Sequence, residues 1–281
     1  VLVVGAGNSA CDVAVESARI AGKVCLSMRS PQWFFPKFIF GTPSDAFAAL
    51  TPVWVPARVR QTAVKWLMRA LQGPYSRYGL PQNTRPPFSD HPTLNSDLFD
   101  FIRHGRIKPR PGVRRLLGEE VEFTDGSREA FDILCTATGY SIDFPFFDKA
   151  FIDYSSAGCV PLYRKMMHPL HANLYFIGLI QPLGCIWPLA DYQARLACLE
   201  ILGRYKRPAD MEQAILREIA HPHVDYQSGL RHSVEVDYRR YRQEMREDLR
   251  GAGVDIGKPP AGRKDRYKIA SPPAAVAARS R

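Results

Sequence analysis

Gly5-Ala6-Gly7-Asn8-Ser9-Ala10 lies between an apolar run, Val1 to Val4, and a stretch with helical spacing from Asn8 to Ile20. A turn of this composition can hold the pyrophosphate of a dinucleotide. Gly5 permits the tight reversal, and Gly7 lets the backbone approach the phosphates with no side chain in the way. Ala10, at the third position, keeps helix and strand close. The N–H groups at the helix start, around Asn8 and Ser9, together with the helix dipole, favour the phosphate charge. An ordinary strand–helix turn could use the same glycines, so the weight comes from finding both flanking elements in place.

The end of the next strand decides which dinucleotide fits. A carboxylate there would accept the ribose hydroxyls of NAD(H) and repel a 2′-phosphate. This chain has Met28-Arg29-Ser30 instead, with Arg29 placed 24 residues after Gly5. Arg29 can make charge-assisted hydrogen bonds to a 2′-phosphate, with Ser30 as a smaller donor. The pattern therefore points to NADP(H), against the plainer alternative of a solvated arginine at a strand end.

Other chemistries find less support. The six cysteines (Cys11, Cys25, Cys135, Cys159, Cys185, Cys198) are far apart and form no C-x-x-C pair. That suits free thiols in a reducing, cytoplasmic compartment and removes the dithiol of a disulfide reductase. His168-Pro-Leu-His171 and His221-Pro-His223 are broken by proline and read as loops, so no metal site is expected. The formal charge is +10, but Lys258 to Arg281 holds seven basic residues against one acid. That tail accounts for +6, which leaves +4 for the rest and gives no basic stripe for nucleic acid. No side-chain catalytic acid or base stands out.

These residues need a scaffold, and the hydrophobic pattern supplies one. A strand at Val1–Val4, a helix over Asn8–Ile20 and a strand over Lys23–Arg29 make a βαβ opening, hence a parallel sheet. Residues 33–92 form an aromatic, proline-rich insert. Inside it Val59, Ala63, Trp66, Leu67, Ala70 and Leu71 recur at helical spacing among Arg58, Lys65 and Arg69. That helix packs on its own domain or lies on a membrane surface. A short helix over Asn95–His104 precedes a β-meander: Ile107–Lys108, Val113–Leu117, Val121–Thr124 and Ala130–Thr136. Asp125-Gly126 is a hairpin signal for a turn with both central residues at positive φ. The last strand, buried, runs into Gly139. A strand over Asn173–Gly178, a helix over Leu189–Leu202 and an amphipathic C-terminal helix marked by Val234, Tyr238, Tyr241, Met245 and Leu249 complete the described pattern. The chain opens directly inside a strand, as a fragment of a longer protein would.

Several stretches, in order, resemble flavin-containing monooxygenases: Val1 to Glu16, Arg29-Ser30-Pro31-Gln32-Trp33, and His91-Pro92-Thr93-Leu94-Asn95. Phe123-Thr124-Asp125-Gly126-Ser127, Ala137-Thr138-Gly139-Tyr140 and Gly178-Leu179-Ile180-Gln181-Pro182-Leu183-Gly184 continue the series. The likeness spans about Val1 to Leu202 and loosens after Arg204. It implies an α/β fold: a Rossmann-like NADP-binding domain, with parallel sheet and β-meander, plus part of an FAD-binding domain. The implied boundaries are an NADPH domain over 1–140 with the 33–92 insert, and a C-terminal part of the FAD domain over 141–215. A helical extension over 216–257 and a basic tail over 258–281 follow.

The resemblance implies NADP(H) and FAD as cofactors, with O₂ and a soft nitrogen or sulfur nucleophile as co-substrates. Thr138 would join the cofactor residues, and Gly178 and Gln181 would lie near the flavin ring. The family's first glycine motif has no counterpart in this chain, so FAD retention by the chain alone is not expected. A Baeyer–Villiger monooxygenase, with the same cofactors and ketone substrates, and a non-catalytic NADP-binding module are the alternatives. Oligomeric state is not legible.

Overall fold

The computed structural model describes residues 1–49, 55–89, 91–154, 159–182, 184–224 and 234–254. The basic tail and Leu183 lie outside them. The chain divides into two units. The first holds Val1–Val160, Ile180–Cys185 and Ile219–Asp237; the second holds Pro161–Leu179, Ile186–Glu218 and the segment from Tyr238.

The first unit opens with β1 (Leu2–Val4), α1 (Asn8–Ile20) and β2 (Val24–Ser27). In the insert follow β3 (Phe34–Phe35), β4 (Phe38–Ile39), β5 (Thr42–Pro43), α2 (Ser44–Ala49) and α3 (Ala57–Gln72), and just after it β6 (Thr93–Leu94). Then come α4 (Leu98–Arg103), β7 (Ile107–Arg110), β8 (Val113–Leu117), β9 (Glu120–Phe123), β10 (Arg128–Ala130) and β11 (Leu134–Thr136). The two-residue strands β12 (Gln181–Pro182) and β13 (Glu235–Val236) pair in parallel.

A four-stranded sheet of order β11-β1-β2-β7, parallel throughout, is the frame, as the βαβ opening predicts. Alternation along its short strands sorts the core into two faces. Val3, Val24 and Leu26 pack with α1, whose Ala10, Cys11, Ala14, Val15 and Ala18 recur on one helical face. Leu2 and Cys25 point the other way and meet Val121 and Phe123 of the antiparallel meander β10-β9-β8. The unit is therefore layered: helices and insert, parallel sheet, meander.

The insert is built around aromatic rings. Phe34, fully buried, meets Phe99 edge-on at 5.9 Å, and Tyr75 and Tyr78 pack on Phe99 at 5.4 and 4.7 Å. The Tyr75 hydroxyl accepts the Phe34 N–H at 3.0 Å, and burial pushes that phenol up to about 12. Because β3 pairs with β6 in parallel, the insert's two ends are stitched together beside α1.

Four sequence expectations are corrected. The strand over Ala130–Thr136 is two strands, β10 and β11, separated at Phe131-Asp132-Ile133, because its halves serve different sheets. β11 is an edge strand rather than a buried one: Leu134 is 39% exposed and Ile133 54%. At Asp125-Gly126 only Gly126 has positive φ, 84°. Gly126 donates its N–H to the Phe123 carbonyl and the Phe123 N–H reaches the Ser127 carbonyl, a three-residue hairpin with a bulge. The Asp125 carboxylate accepts the Ser127 hydroxyl and N–H, which fixes this form and holds its pKa below the usual range. Asn173–Gly178 is no strand: Asn173 sits at φ 65° and Gly178 at 83°, and only an isolated bridge, Met167 to Tyr175, forms there.

The second unit holds α5 (Trp187–Ile201), most of α6 (Met211–Ala220) and α7 (Tyr238–Gly251). α5 matches the expected helix, and α7 does so from Tyr238 on, with Tyr241, Met245 and Leu249 as its buried face. Val234, expected on the same face, instead precedes the helix beside β13, because the chain pairs there as a strand before α7 begins. α6 went unread, although Met211 and Ile215 are its buried stripe. Among the described residues no helix is long and apolar enough to cross a membrane.

One ion cluster ties the sheet to the meander. Glu129 of β10 accepts Lys23 at 2.8 Å and Arg110 of β7 at 2.6 Å. Burial works to raise its pKa, but the two cations outweigh it and the net shift is down. A lowered carboxylate stabilises the fold above its ordinary value of 4.5, and that contribution is lost as pH falls below it. Glu129→Gln should cost about 1 kcal/mol at neutral pH, with the difference from the native chain closing under acid. Urea unfolding of both proteins at pH 7 and pH 4 checks this; a difference independent of pH would contradict it.

Candidate functional site

β1 ends at Val4 and the chain turns through Gly5 to Gly7 into α1. Gly5 has φ 138°, a conformation open to glycine and costly to other residues. A Cβ there would stand 2.3 Å from the Ala137 carbonyl oxygen and 3.3 Å from the Ala10 Cβ. The Gly5 N–H meanwhile reaches the Ser27 carbonyl at 3.0 Å. Gly5 is thus required by the protein's own backbone, and Ala10, fully buried, by the closeness of helix and strand.

Gly7 is different. A Cβ built on it meets nothing within 4 Å, so no neighbouring protein atom requires glycine there. Gly7 is the N-cap of α1; no side chain caps the helix, and no acid stands in its first turn. The first intrahelical bond is from Cys11 N–H to the Gly7 carbonyl, so the N–H groups of Asn8, Ser9 and Ala10 precede the ladder. Gly7, Asn8 and Ser9 are exposed. Open space over uncapped N–H groups at a parallel strand's carboxyl end fits a dinucleotide pyrophosphate.

The parallel register sets the other expected residues around this turn. Val4 is level with Ser27 of β2 and with Thr136 of β11. Arg29 and Ser30 therefore leave the sheet on one side of the turn, and Thr138 leaves it on the other. Arg29 is exposed, and no hydrogen bond or ion pair engages it among the described residues. Its Cα would lie 3.4 Å from a Cβ at Gly112, so Gly112 leaves room for the backbone at that strand end.

The stretch just after the insert, β6 with Asn95, supplies a buttress that sequence reasoning did not assign. Thr93 donates its hydroxyl to the Ala6 carbonyl at 2.9 Å, and Leu94 N–H reaches Asn8 Oδ1 at 2.6 Å. The Asn95 amide donates to Asp12 at 2.9 Å, while its oxygen accepts the Asp97 and Leu98 N–H groups at the start of α4. Asn8 thus spends its side-chain oxygen on holding the turn, and what it can offer a phosphate is backbone. The signal was present in His91-Pro92-Thr93-Leu94-Asn95, where polar Thr93 and Asn95 are buried. Cys11, behind the turn, is a packing residue: burial first, and Asp12 second, push its thiol up to about 12.

The structure gathers Gly5, Gly7, Asn8, Ser9, Ala10, Arg29, Ser30 and Thr138 at one sheet end. Of the two residues expected near the flavin, Gln181 sits in the β12–β13 pair, and Gly178 belongs to the second unit. Among the described residues no group of three His, Cys, Asp or Glu could hold a metal.

Residues 1–254 match the family described as flavin-binding monooxygenase-like. Human flavin-containing monooxygenase 5 is 32% identical over 255 residues, covering 87% of this chain and 47% of that protein. Rat dimethylaniline monooxygenase [N-oxide-forming] 2 is 35% identical over 233 residues, 78% of this chain and 42% of that one. The chain spans under half the length of these relatives. Among solved structures, a closed form of cyclohexanone monooxygenase aligns over 90% of this chain and 65% of its own, with TM-score 0.62 and 11% identity. Cyclohexanone monooxygenase from Rhodococcus sp. Phi1 bound to NADP+ aligns over 87% and 63%, with TM-score 0.58 and 13% identity. These two show a shared fold.

The two turn glycines should separate in stability. Gly5→Ala is expected to cost about 2–4 kcal/mol through strain and overlap with Ala137. Gly7→Ala should cost under about 1 kcal/mol, since its side is open. Equal losses in equilibrium unfolding would contradict this geometry.

Proposed function

The chain belongs to the flavin-binding monooxygenase-like family, and from that premise we propose that it is the NADPH-binding part of a flavin monooxygenase. The family's cofactors are FAD and NADP(H). The parent protein would use them with O₂ to oxygenate a small soft nitrogen or sulfur nucleophile. The single observation that carries the reading is the open, uncapped Gly7 end of α1, flanked by an unengaged Arg29.

In this reading residues 1–140 are the NADPH domain, carrying the 33–92 insert and the buttress of residues 93–95 after it, and 141–215 belong to the FAD domain. Residues 216–257 extend it, and 258–281 are a basic tail. The backbone N–H groups of Asn8, Ser9 and Ala10 bind the pyrophosphate, and Gly7 admits it. Arg29, helped by Ser30, grips the 2′-phosphate, a dianion that a carboxylate at the same place would repel. Thr138 borders the cofactor on the β11 side. Gly178 and Gln181 are assigned to the flavin's surroundings. When bound, NADPH supplies the hydride, and the flavin supplies the oxygen chemistry. The protein's part is to fix the nucleotide and exclude water. The nitrogen or sulfur substrate class is supported by the N-oxide-forming activity in the name of the rat relative.

A second reading, contact with a membrane surface, has its own observation. On α3 Val59, Ala63, Trp66 and Ala70 share one exposed face, with Val59 58% and Trp66 65% exposed, while Met68 is buried opposite. Arg58, Arg60, Lys65 and Arg69 flank it, and the helix has no acid. An apolar stripe with an indole among cations suits an anionic bilayer surface. The chain should co-float with anionic liposomes, and Trp66→Ser with Val59→Ser should abolish this; flotation unchanged by both substitutions would discard the reading.

The cofactor reading is tested by calorimetric titration of the chain with NADP⁺ and NAD⁺. NADP⁺ should bind tighter, and Arg29→Ala should remove most of the preference, about 1.5–3 kcal/mol for a lost charge-assisted contact. Gly7→Ala should weaken both nucleotides alike. A folded chain that binds NAD⁺ as well as NADP⁺, and ignores Arg29→Ala, would overturn the assignment.

A further inference from the structure

The second unit contains a polar chain running from its C-terminal helix to the turn at Gly178. The Gly178 N–H donates to Gln193 Oε1 at 2.8 Å. Gln193, on α5, is fully buried, and its Nε2 donates to the Tyr241 hydroxyl at 2.6 Å and reaches the Arg164 carbonyl at 3.5 Å. Tyr241, on α7 and also fully buried, passes its own hydroxyl proton to the same Arg164 carbonyl. Burial raises the phenol's pKa, so it stays protonated and able to donate.

The direction of each bond is forced. A backbone N–H can only donate, so the Gln193 oxygen must face Gly178 and its NH₂ must face Tyr241. The tyrosine hydroxyl accepts that donor and must therefore donate onward. Its acceptor belongs to a strained turn: Arg164 and Lys165 sit at φ 50° and 53°, a region costly to side-chain-bearing residues. α7 and α6 hold that turn in place. The Arg164 guanidinium pairs with Glu244 and Asp248 of α7 at 2.7 Å each, and Lys165 pairs with Glu218 of α6 at 3.1 Å. Burial disfavours the Arg164 charge, but Asp248 and Glu244 outweigh it and raise its pKa. Two neighbouring αL residues, each anchored by a buried or part-buried acid, are more than packing of α5 on α7 requires.

We propose that Gln193 is a positioning residue that sets the Gly178 turn, and that α7 orients it through Tyr241. The C-terminal helix, which lies within the residues matched by the family, thereby becomes part of the working structure rather than an appendage. That the turn serves a flavin rests on the reading above; that Gln193 holds it does not.

The test is site-resolved amide exchange on the full chain, with no cofactor present. Gln193→Met keeps the volume and removes both bonds, and the Gly178 amide should exchange faster by on the order of tenfold, the loss of one neutral hydrogen bond. Tyr241→Phe leaves Gln193 in place but frees its amide to rotate, so a smaller increase at Gly178 is expected. Gln193→Glu, which restores an acceptor, should return Gly178 towards native exchange. Amides of α1 serve as reference and should not move. A general loosening of the second unit, with no excess at Gly178, would reduce Gln193 to a packing residue and overturn the proposal. So would unchanged Gly178 exchange in Gln193→Met and Tyr241→Phe. Because no nucleotide enters this experiment, its failure counts against the positioning alone, whereas a failed NADP⁺ titration counts against the cofactor reading.

Discussion

The approach of the Ala137 carbonyl to Gly5 is the constraint on which the first unit depends. β1 is flanked on both sides, by β2 and by β11, and α1 must start within three residues of its end. At Gly5 the N–H turns to Ser27 of β2 while the α-carbon lies against Ala137 beyond β11. Only a hydrogen fits between. Any side chain would push β11 off β1, or delay the helix and move its N-terminus away from the sheet. Because neither happens, the helix dipole, the end of β2 and the end of β11 converge at one level, and whatever binds there meets all three at once.

A turn so tight has little packing of its own, and the insert provides it. Its aromatic core fixes β6 against β3, and β6 then presents Thr93, Leu94 and Asn95 to the turn and to α1. Each of these bonds uses a group that would otherwise compete for a ligand: the Ala6 carbonyl, the Asn8 amide oxygen, the Asp12 carboxylate. Removing acceptors from the vicinity leaves donors facing outward. The same three residues link the insert to α4, since Asn95 also satisfies two N–H groups at that helix's start. The end of the long irregular segment is therefore tied to the turn and to α1 by side-chain hydrogen bonds.

Much of this was legible in the sequence where local chemistry decides it. The glycine turn, α1 to the residue, the α3 stripe and the buried face of α7 follow from glycine placement and from 3.6-residue periodicity. What was missed depends on partners distant in sequence. Nothing local divides Ala130–Thr136; the split exists because β10 joins β9 while β11 joins β1. Asn173–Gly178 is apolar enough for a strand, but its ends take positive φ and among the described residues it pairs only through an isolated bridge. At Asp125 the side chain took the Ser127 hydroxyl and chose a different hairpin from the one that the dipeptide alone suggests. In the site, residue types announced Gly5, Gly7 and Arg29, but the role of Thr93 and Asn95 appears only when the insert folds back. Gly178 and Gln181 came from resemblance alone, and their surroundings, Gln193 above all, had no local signal.

Arg29 gains its meaning from the pairing of the other cations about the sheet. Arg110 is held by Glu129, and Arg114, Arg115 and Arg128 converge on the buried Glu122. That carboxylate's pKa is lowered chiefly by its bonds from Arg115. These clusters hold more cations than carboxylates and stay net positive, and salt screens them beyond about a Debye length. Arg29 has no acid beside it among the described residues, and α1 adds no acid in its first turn. At the turn the start of the helix dipole and the Arg29 guanidinium are both positive. The dipole acts on any pyrophosphate and cannot tell NAD(H) from NADP(H); the guanidinium acts only where an extra phosphate lies beyond the ribose. In the proposed NADPH reading, affinity and cofactor choice would be carried by separate parts of the same sheet end, so that each could be removed without the other.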